Sequence, residues 1–239
     1  RVLAPIKELE NNNEYVTDFS CDKDAHIWLI TNKSRLMDFD PQTGKYKTYH
    51  QKEFDKSNYD ELIGTAFVFD KDDNLWIGTN KGLSFFNKVK KRFESFGEPS
   101  TNPTKNENIL DLKMDSFGTL WIGTQFGGLF KYEERTLFNS YSSTSSDKNS
   151  LTPGWADNIY EAHDGKIWIT TSGQGNSSGI NIFDIKTRVI EPIQFQKFLP
   201  GNFVIFGLIE ISPGEFLINT EKGVYSFYPE TKKVNRIEL

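Results

Sequence analysis

Five stretches of the chain share one order of apolar and polar positions. In each, an apolar residue (Phe19, Phe67, Leu112, Ile159, Leu208) stands nine places before an anchor at Trp28, Trp76, Trp121, Trp168 or Leu217. Between the two runs a polar turn: Asp22-Lys23-Asp24, Asp70-Lys71-Asp72-Asp73, Asp115-Ser116-Phe117-Gly118, Asp164-Gly165 and Pro213-Gly214. The anchor itself sits in an apolar run, clearest as Leu75-Trp76-Ile77-Gly78-Thr79 and Leu120-Trp121-Ile122-Gly123-Thr124. Successive anchors are 48, 45, 47 and 49 residues apart. A second turn and a short apolar stretch follow, as in Gly82-Leu83-Ser84-Phe85-Phe86 and Gly179-Ile180-Asn181-Ile182-Phe183, and a last alternating stretch closes each unit. The period of two, broken by Asp, Gly and Asn, predicts four short strands per unit and no helix.

One twisted four-stranded sheet cannot cover its own apolar faces. Sheets of this size, repeated every 40–50 residues or so, pack face to face around an axis as the blades of a β-propeller. The pattern therefore predicts an all-β chain with a single propeller region over 1–239. Its five four-stranded blades fall at about 14–50, 62–97, 107–142, 157–194 and 203–239. The anchors Trp28, Trp76, Trp121, Trp168 and Leu217 are expected between neighbouring blades, and Gly78 and Gly123 where a neighbouring backbone approaches. Arg1-Val2-Leu3-Ala4-Pro5-Ile6 repeats Arg188-Val189-Ile190-Glu191-Pro192-Ile193, so 1–8 reads as the orphan outer strand of a sixth repeat. The five blades are expected to be part of a larger propeller of about seven; a closed five-blade ring is the competing arrangement.

Composition agrees with strands. Of 239 residues, 20 are Phe, 9 Tyr and 5 Trp, and this aromatic share of 14% suits pleated surfaces. The net charge of −5 gives no footprint for nucleic acid. No run approaches the roughly 18 apolar residues of a membrane helix, so no direct span is expected. The single cysteine, Cys21, excludes an internal disulfide framework and a multi-cysteine metal site, and a buried apolar place is expected for it. Arg1 stands where an initiating Met would, so the chain is expected to be a piece of something longer.

An Asp-rich turn, then Leu-Trp-Ile-Gly-Thr, a short gap, Gly-Leu, a strand and a final aromatic strand resemble the two-component regulator propeller repeat. Leu75 to Leu83 and Leu120 to Leu129 match it closely, and Phe138-Asn139-Ser140-Tyr141 followed by Asn149-Ser150-Leu151 resembles its inter-blade segment. Units one and four lack the Gly of the motif and unit five lacks the Trp. The resemblance implies the extracytoplasmic, periplasmic sensor region of a hybrid two-component histidine kinase, with oligosaccharides released from glycans as ligands. It further implies a non-catalytic chain without cofactor, since the kinase lies elsewhere. The implied partners are remaining blades or a second propeller of the parent chain; a homodimer stays open.

Catalytic constellations are weak. His26, His50 and His163 fall at different phases of the repeat and do not converge on a metal. Asp70-Lys71-Asp72-Asp73-Asn74 has the start of a calcium loop, but Leu75 and Lys81 occupy its glycine and glutamate positions, so it reads as a turn. Gly173 to Gly179 opens no helix, which argues against a phosphate cradle. Ligand contacts are expected instead on the loops that enter first strands and link second to third strands, where rings lie beside neutral amides. The candidates are Trp155, Tyr59, Tyr15, Gln125, Phe126, Asn158, Gln174 and Asn176. Trp155 stands out as a large apolar loop residue outside the repeat register. Two other readings compete: an enzyme similar to streptogramin lyases, suggested by Asp40-Pro41-Gln42-Thr43-Gly44, and a protein-interaction scaffold.

Overall fold

A computed structural model describes residues 13–50, 63–94, 102–133, 137–144, 146–173, 178–193, 195–198 and 203–238. The strand expected at 1–8 and the candidates Tyr59, Gln174 and Asn176 lie outside the described residues.

The described residues form twenty strands and one 3-10 turn at Phe195–Lys197. The first sheet holds β1 (Val16–Cys21), β2 (Ile27–Thr31), β3 (Arg35–Phe39) and β4 (Tyr46–His50). The second holds β5 (Gly64–Phe69), β6 (Leu75–Thr79), β7 (Gly82–Asn87) and β8 (Arg92–Glu94). The third holds β9 (Ile109–Met114), β10 (Leu120–Thr124), β11 (Leu129–Glu133) and β12 (Leu137–Tyr141). The fourth holds β13 (Trp155–Glu161), β14 (Ile167–Ser172), β15 (Gly179–Asp184) and β16 (Val189–Ile193). The fifth holds β17 (Ile205–Ser212), β18 (Glu215–Thr220), β19 (Gly223–Tyr228) and β20 (Lys233–Arg236). Strands within each sheet lie in chain order. The chain is thus all-β, with five four-stranded propeller blades. It divides into two compact units, Arg1–Met114 and Asp115–Leu239.

The turns follow from their side chains. Asp22 Oδ1 accepts the N–H groups of Asp24 and His26, and Asp70 and Asp115 repeat this in their own turns. Each such carboxylate closes a first-to-second-strand hairpin by capping backbone donors that the ladder leaves free.

Within unit one, Trp28, Ile30 and Leu36 of the first sheet pack with Phe67, Leu75, Ile77, Phe86 and Phe93 of the second. Tyr49 stacks on Trp28 at 5.9 Å and meets Phe86 at 4.9 Å, so two rings of one sheet clamp a third-strand ring of the next. Unit two repeats the clamp: Trp121 and Tyr141 each lie 4.9 Å from Phe183, and Trp168 lies over Phe216 and beside Phe227. Each such aromatic pair contributes about 1 kcal/mol beyond the area it buries. Side-chain oxygens that accept backbone N–H groups tie first strands together as well. Asp18 Oδ2 accepts Phe67 N–H at 2.9 Å, and Asn158 Oδ1 accepts Leu208 N–H at 3.3 Å.

On the first strand, Phe19 departs from its equivalents in the other sheets and Cys21 from its expected burial. Phe67, Leu112, Ile159 and Leu208 are buried, but Phe19 at the same place is 69% exposed. Cys21 is exposed as well. Phe67 is covered by the first sheet, with which it shares a core, whereas β1 begins the described strands. Periodicity gives the apolar face of β1 but not a neighbour to cover it.

Candidate functional site

Among the described candidates, Tyr15 in unit one and Gln125, Phe126 and Trp155 in unit two each lie where a first strand begins or a second strand turns into a third. In unit one, Tyr15 N–H donates to Asn32 Oδ1 at 2.9 Å, and Asn32 N–H returns a bond to the Tyr15 carbonyl at 3.0 Å. Ile63 and Asn80 repeat this reciprocal clasp in the second sheet. The turn asparagines therefore hold the chain leading into the first strand, where Tyr15 is 61% exposed.

In unit two the same end carries Gln125 and Phe126, in the turn from β10 to β11, and Trp155, the first residue of β13. Trp155 pairs with Ser172 in the ladder, so it is a strand residue and not a loop residue. It also stands thirteen places before its anchor, as Tyr15 and Ile63 do, which puts it inside the repeat register. Phe126 and Trp155 meet edge to face, 6.4 Å apart at 80°. Phe126 is 78% exposed, and Trp155 is partly open to solvent. Gln125 is half-buried beside them. Asn158 lies further along β13, where its side-chain oxygen takes the Leu208 N–H already described. Tyr15 belongs to the other unit.

The anchors Trp28, Trp76, Trp121 and Trp168 are buried, while Leu217 is only half-buried. Gly123 and Gly78 differ in what they meet. A Cβ on Gly123 would overlap the Ala156 carbonyl oxygen, whereas one on Gly78 would meet the Ile109 side chain at 2.6 Å.

Buried charge gathers at two places. Beneath the exposed rings of unit two, Asp157 receives the Thr170 hydroxyl at 2.7 Å and the Ser172 hydroxyl in a very short bond. Burial raises its pKa above the ordinary carboxylate value, against the pull of these two bonds. In unit one, at the opposite end of the blades, Asp22, Asp24 and Asp73 converge within 4.8 Å, a spacing that could hold a cation. The Lys88 ammonium occupies that place: it bonds Asp22 at 2.6 Å and Asp73 more closely still. Burial raises the Asp22 pKa, but hydrogen bonds from Lys88, Trp28 and His26 outweigh it and leave the value lowered. His26 bonds Asp38 at 2.6 Å, and this bond raises the imidazole pKa. His163 lies in the β13–β14 turn and gives its backbone N–H to Glu210 at 2.6 Å. Sequence reasoning overlooked the neighbourhood of that turn. The signal was available in the run Asp22, Asp70, Asp115, which breaks at Ala162.

Comparison with solved structures places the chain among propeller proteins. It superposes on virginiamycin B lyase from Staphylococcus aureus with a TM-score of 0.72 at 12% identity, covering 97% of this chain and 72% of that one. It superposes on the extracellular domain of a hybrid two-component system from B. thetaiotaomicron with a TM-score of 0.60 at 18% identity, covering 97% of this chain and 34% of that one. PorZ, a surface component of the type-IX secretion system of Porphyromonas gingivalis, gives 0.65 at 13% identity over 93% of this chain and 33% of that one. The chain thus spans about a third of the length of the last two. At these identities the likeness is one of fold. In sequence, residues 61–81 and 104–126 match the model of the two-component regulator propeller. No curated protein matches the chain in sequence.

Proposed function

We propose that this chain is a non-catalytic, ligand-recognising section of an extracytoplasmic two-component sensor, and that its ligands are glycan-derived oligosaccharides. The observation that carries the reading is the match of two separate segments to the two-component regulator propeller. Likeness in fold to the extracellular domain of a hybrid two-component system supports it. In this reading the parent protein lies in the inner membrane with this section in the periplasm, and further blades or a second propeller complete it. The reading does not depend on whether the parent forms a homodimer.

The loop end of unit two suits a sugar. Phe126 offers an exposed ring and Trp155 a partly exposed one, set edge to face. The C–H face of a pyranose packs on such rings, and its hydroxyls need polar neighbours such as Gln125. Calorimetric titration with a panel of glycan oligosaccharides tests this. Saturable binding that falls at least tenfold in Phe126→Ala and in Trp155→Ala, with melting temperature unchanged, is the expected result. Binding untouched by both substitutions would move the site elsewhere, and no binding to any oligosaccharide would end the sugar reading. The lyase reading starts from Asp40-Pro41-Gln42-Thr43-Gly44 and gains only a likeness in fold at 12% identity; turnover of virginiamycin B by this chain would establish it over the sensor reading.

A further inference from the structure

Inside unit two, between the fourth and fifth sheets, a cleft of about 860 Å³ opens at the end of the blades away from Trp155. Ala162, Trp168, Gly214, Phe216 and Pro229 line it. The strand register shows what is missing there. Tyr160 pairs with Trp168 as Ser20 pairs with Trp28, so Ala162 stands where Asp22 stands in the first sheet. Phe216 pairs with Phe227 as Leu75 pairs with Phe86, so Gly214 and Pro229 stand where Asp73 and Lys88 stand in the second. Asp22, Lys88 and Asp73 form a bonded plug between the first and second sheets. Between the fourth and fifth sheets, all three of those side chains are replaced by groups that carry no charge and little bulk.

The lost plug leaves a donor behind. Trp28 gives its indole N–H to Asp22 at 2.8 Å, and Trp121 gives its own to Asp115 at 2.8 Å. Trp168 is 3% exposed, and its Nε1 is buried with no partner. Neighbouring groups are already engaged: Glu210 takes the N–H groups of His163 and Gly214, Lys166 pairs with Asp164, and Tyr228 donates to Glu215. The Trp168 ring stacks on Phe216 at 4.0 Å and 26°, so that ring face is covered, while the buried Nε1 still lacks an acceptor. That favours a hydrogen-bond acceptor over a stacked sugar ring. The rim carries both signs, Lys197 and Lys232 beside Glu191 and Glu230, so rim charge does not choose the ligand. The absent aspartate does.

We propose that this cleft binds a small organic carboxylate, whose oxygen takes the place of the missing aspartate and accepts the Trp168 indole N–H. The site lies at the other end of the blades from Phe126 and Trp155, and it stands whether or not those rings bind a glycan.

The test is NMR of the full chain with 15N-labelled tryptophan, which gives five indole signals; Trp168→Phe assigns the one concerned. Acetate, benzoate and glucuronate are titrated against acetamide, benzamide and glucose. The carboxylates are expected to shift the Trp168 signal saturably and the neutral analogues are not. In Ala162→Asp, which restores the carboxylate found in the first and third sheets, binding should weaken at least tenfold. The proposal is overturned if no carboxylate moves the Trp168 signal, if the amides move it equally, or if Ala162→Asp binds undiminished. Glucose moving the Trp155 signal while every carboxylate leaves Trp168 unmoved would likewise overturn it and leave the glycan reading intact. Should Ala162→Asp fail to fold, calorimetric titration of Trp168→Phe with benzoate decides: a loss of tenfold or more supports the site, and unchanged affinity overturns it.

Discussion

Trp121 of β10 donates its indole N–H to Asp115 Oδ2 at 2.8 Å, back to the start of the turn that leads into its strand. The other oxygen of the same carboxylate takes the Phe117 and Thr119 N–H groups. One side chain therefore closes a hairpin and satisfies a buried ring donor. Asp115→Ala is expected to lower stability by about 2 kcal/mol, because a buried donor without a partner costs about 1–3 kcal/mol. Asp115→Asn keeps an acceptor and should lose less. Urea unfolding checks both, and an alanine variant with the wild-type midpoint would show that the bond contributes nothing.

The Asp22–Lys88–Asp73 cluster depends on its central cation. Lys88→Met leaves two carboxylates facing one another with little solvent, since the Asp22 side chain is only 1% exposed. A loss of about 3 kcal/mol at neutral pH is expected. Its pH dependence follows from the direction of the shift. The Asp22 pKa is lowered below its ordinary 3.8 in the fold, so its stabilisation is present above 3.8 and is lost as pH falls through the folded value. The gap between wild type and Lys88→Met should therefore be largest at neutrality, shrink as acid protonates the facing carboxylates of the variant, and shrink further below about pH 4 as Asp22 of wild type is protonated. A gap that does not change on acidification would count against the cluster.

Much of the fold was legible in the chain because one pattern is written five times. An apolar residue nine places before the anchor, a polar turn between them and Trp or Leu at the anchor give blade class and strand order without any long-range information. What the pattern could not show was cover. Phe19 and Cys21 have the alternation of an inner strand, yet they are exposed, because alternation describes a face and not its neighbour. Trp155 looked like a loop residue because its strand starts earlier than the apolar run suggests, at a register shift between Ala156 and Asn158. Lys88 was unreadable for another reason. It bonds Asp22 from 66 residues away, and only stacked blades bring the two together.

Asp157 sits in that register shift, and its charge opposes folding. Burial raises its pKa above 3.8, and the Ser172 and Thr170 hydroxyls only partly compensate. A raised carboxylate binds its proton more tightly in the folded state, so stability is greatest below 3.8 and declines as pH rises through the folded value. Asp157→Asn removes the buried charge and can still bond both hydroxyls, which donate or accept equally well. The variant should melt higher than wild type at pH 7, and the difference should vanish below about pH 4. A variant that melts lower at pH 7 would mean that the charge itself is stabilising.

Close approach of backbones makes the last prediction. Gly123 in β10 faces the Ala156 carbonyl of β13 so closely that any Cβ there would overlap the oxygen. A carbonyl held in a ladder cannot swing aside as a side chain can, so Gly123→Ala must push two sheets apart. The expected cost is about 2–3 kcal/mol, at the upper end for overpacking. Gly207→Ala is the control, because the nearest atoms to its Cβ would be those of Asn158 at 3.8 Å, an ordinary contact. That variant should stay within about 0.5 kcal/mol of wild type. Gly78→Ala should fall between them, since it meets the Ile109 side chain at 2.6 Å and that side chain can turn away. Urea unfolding of the three variants gives the order directly. Equal stability of Gly123→Ala and Gly207→Ala would mean that the third and fourth blades do not pack as closely as these strands do here.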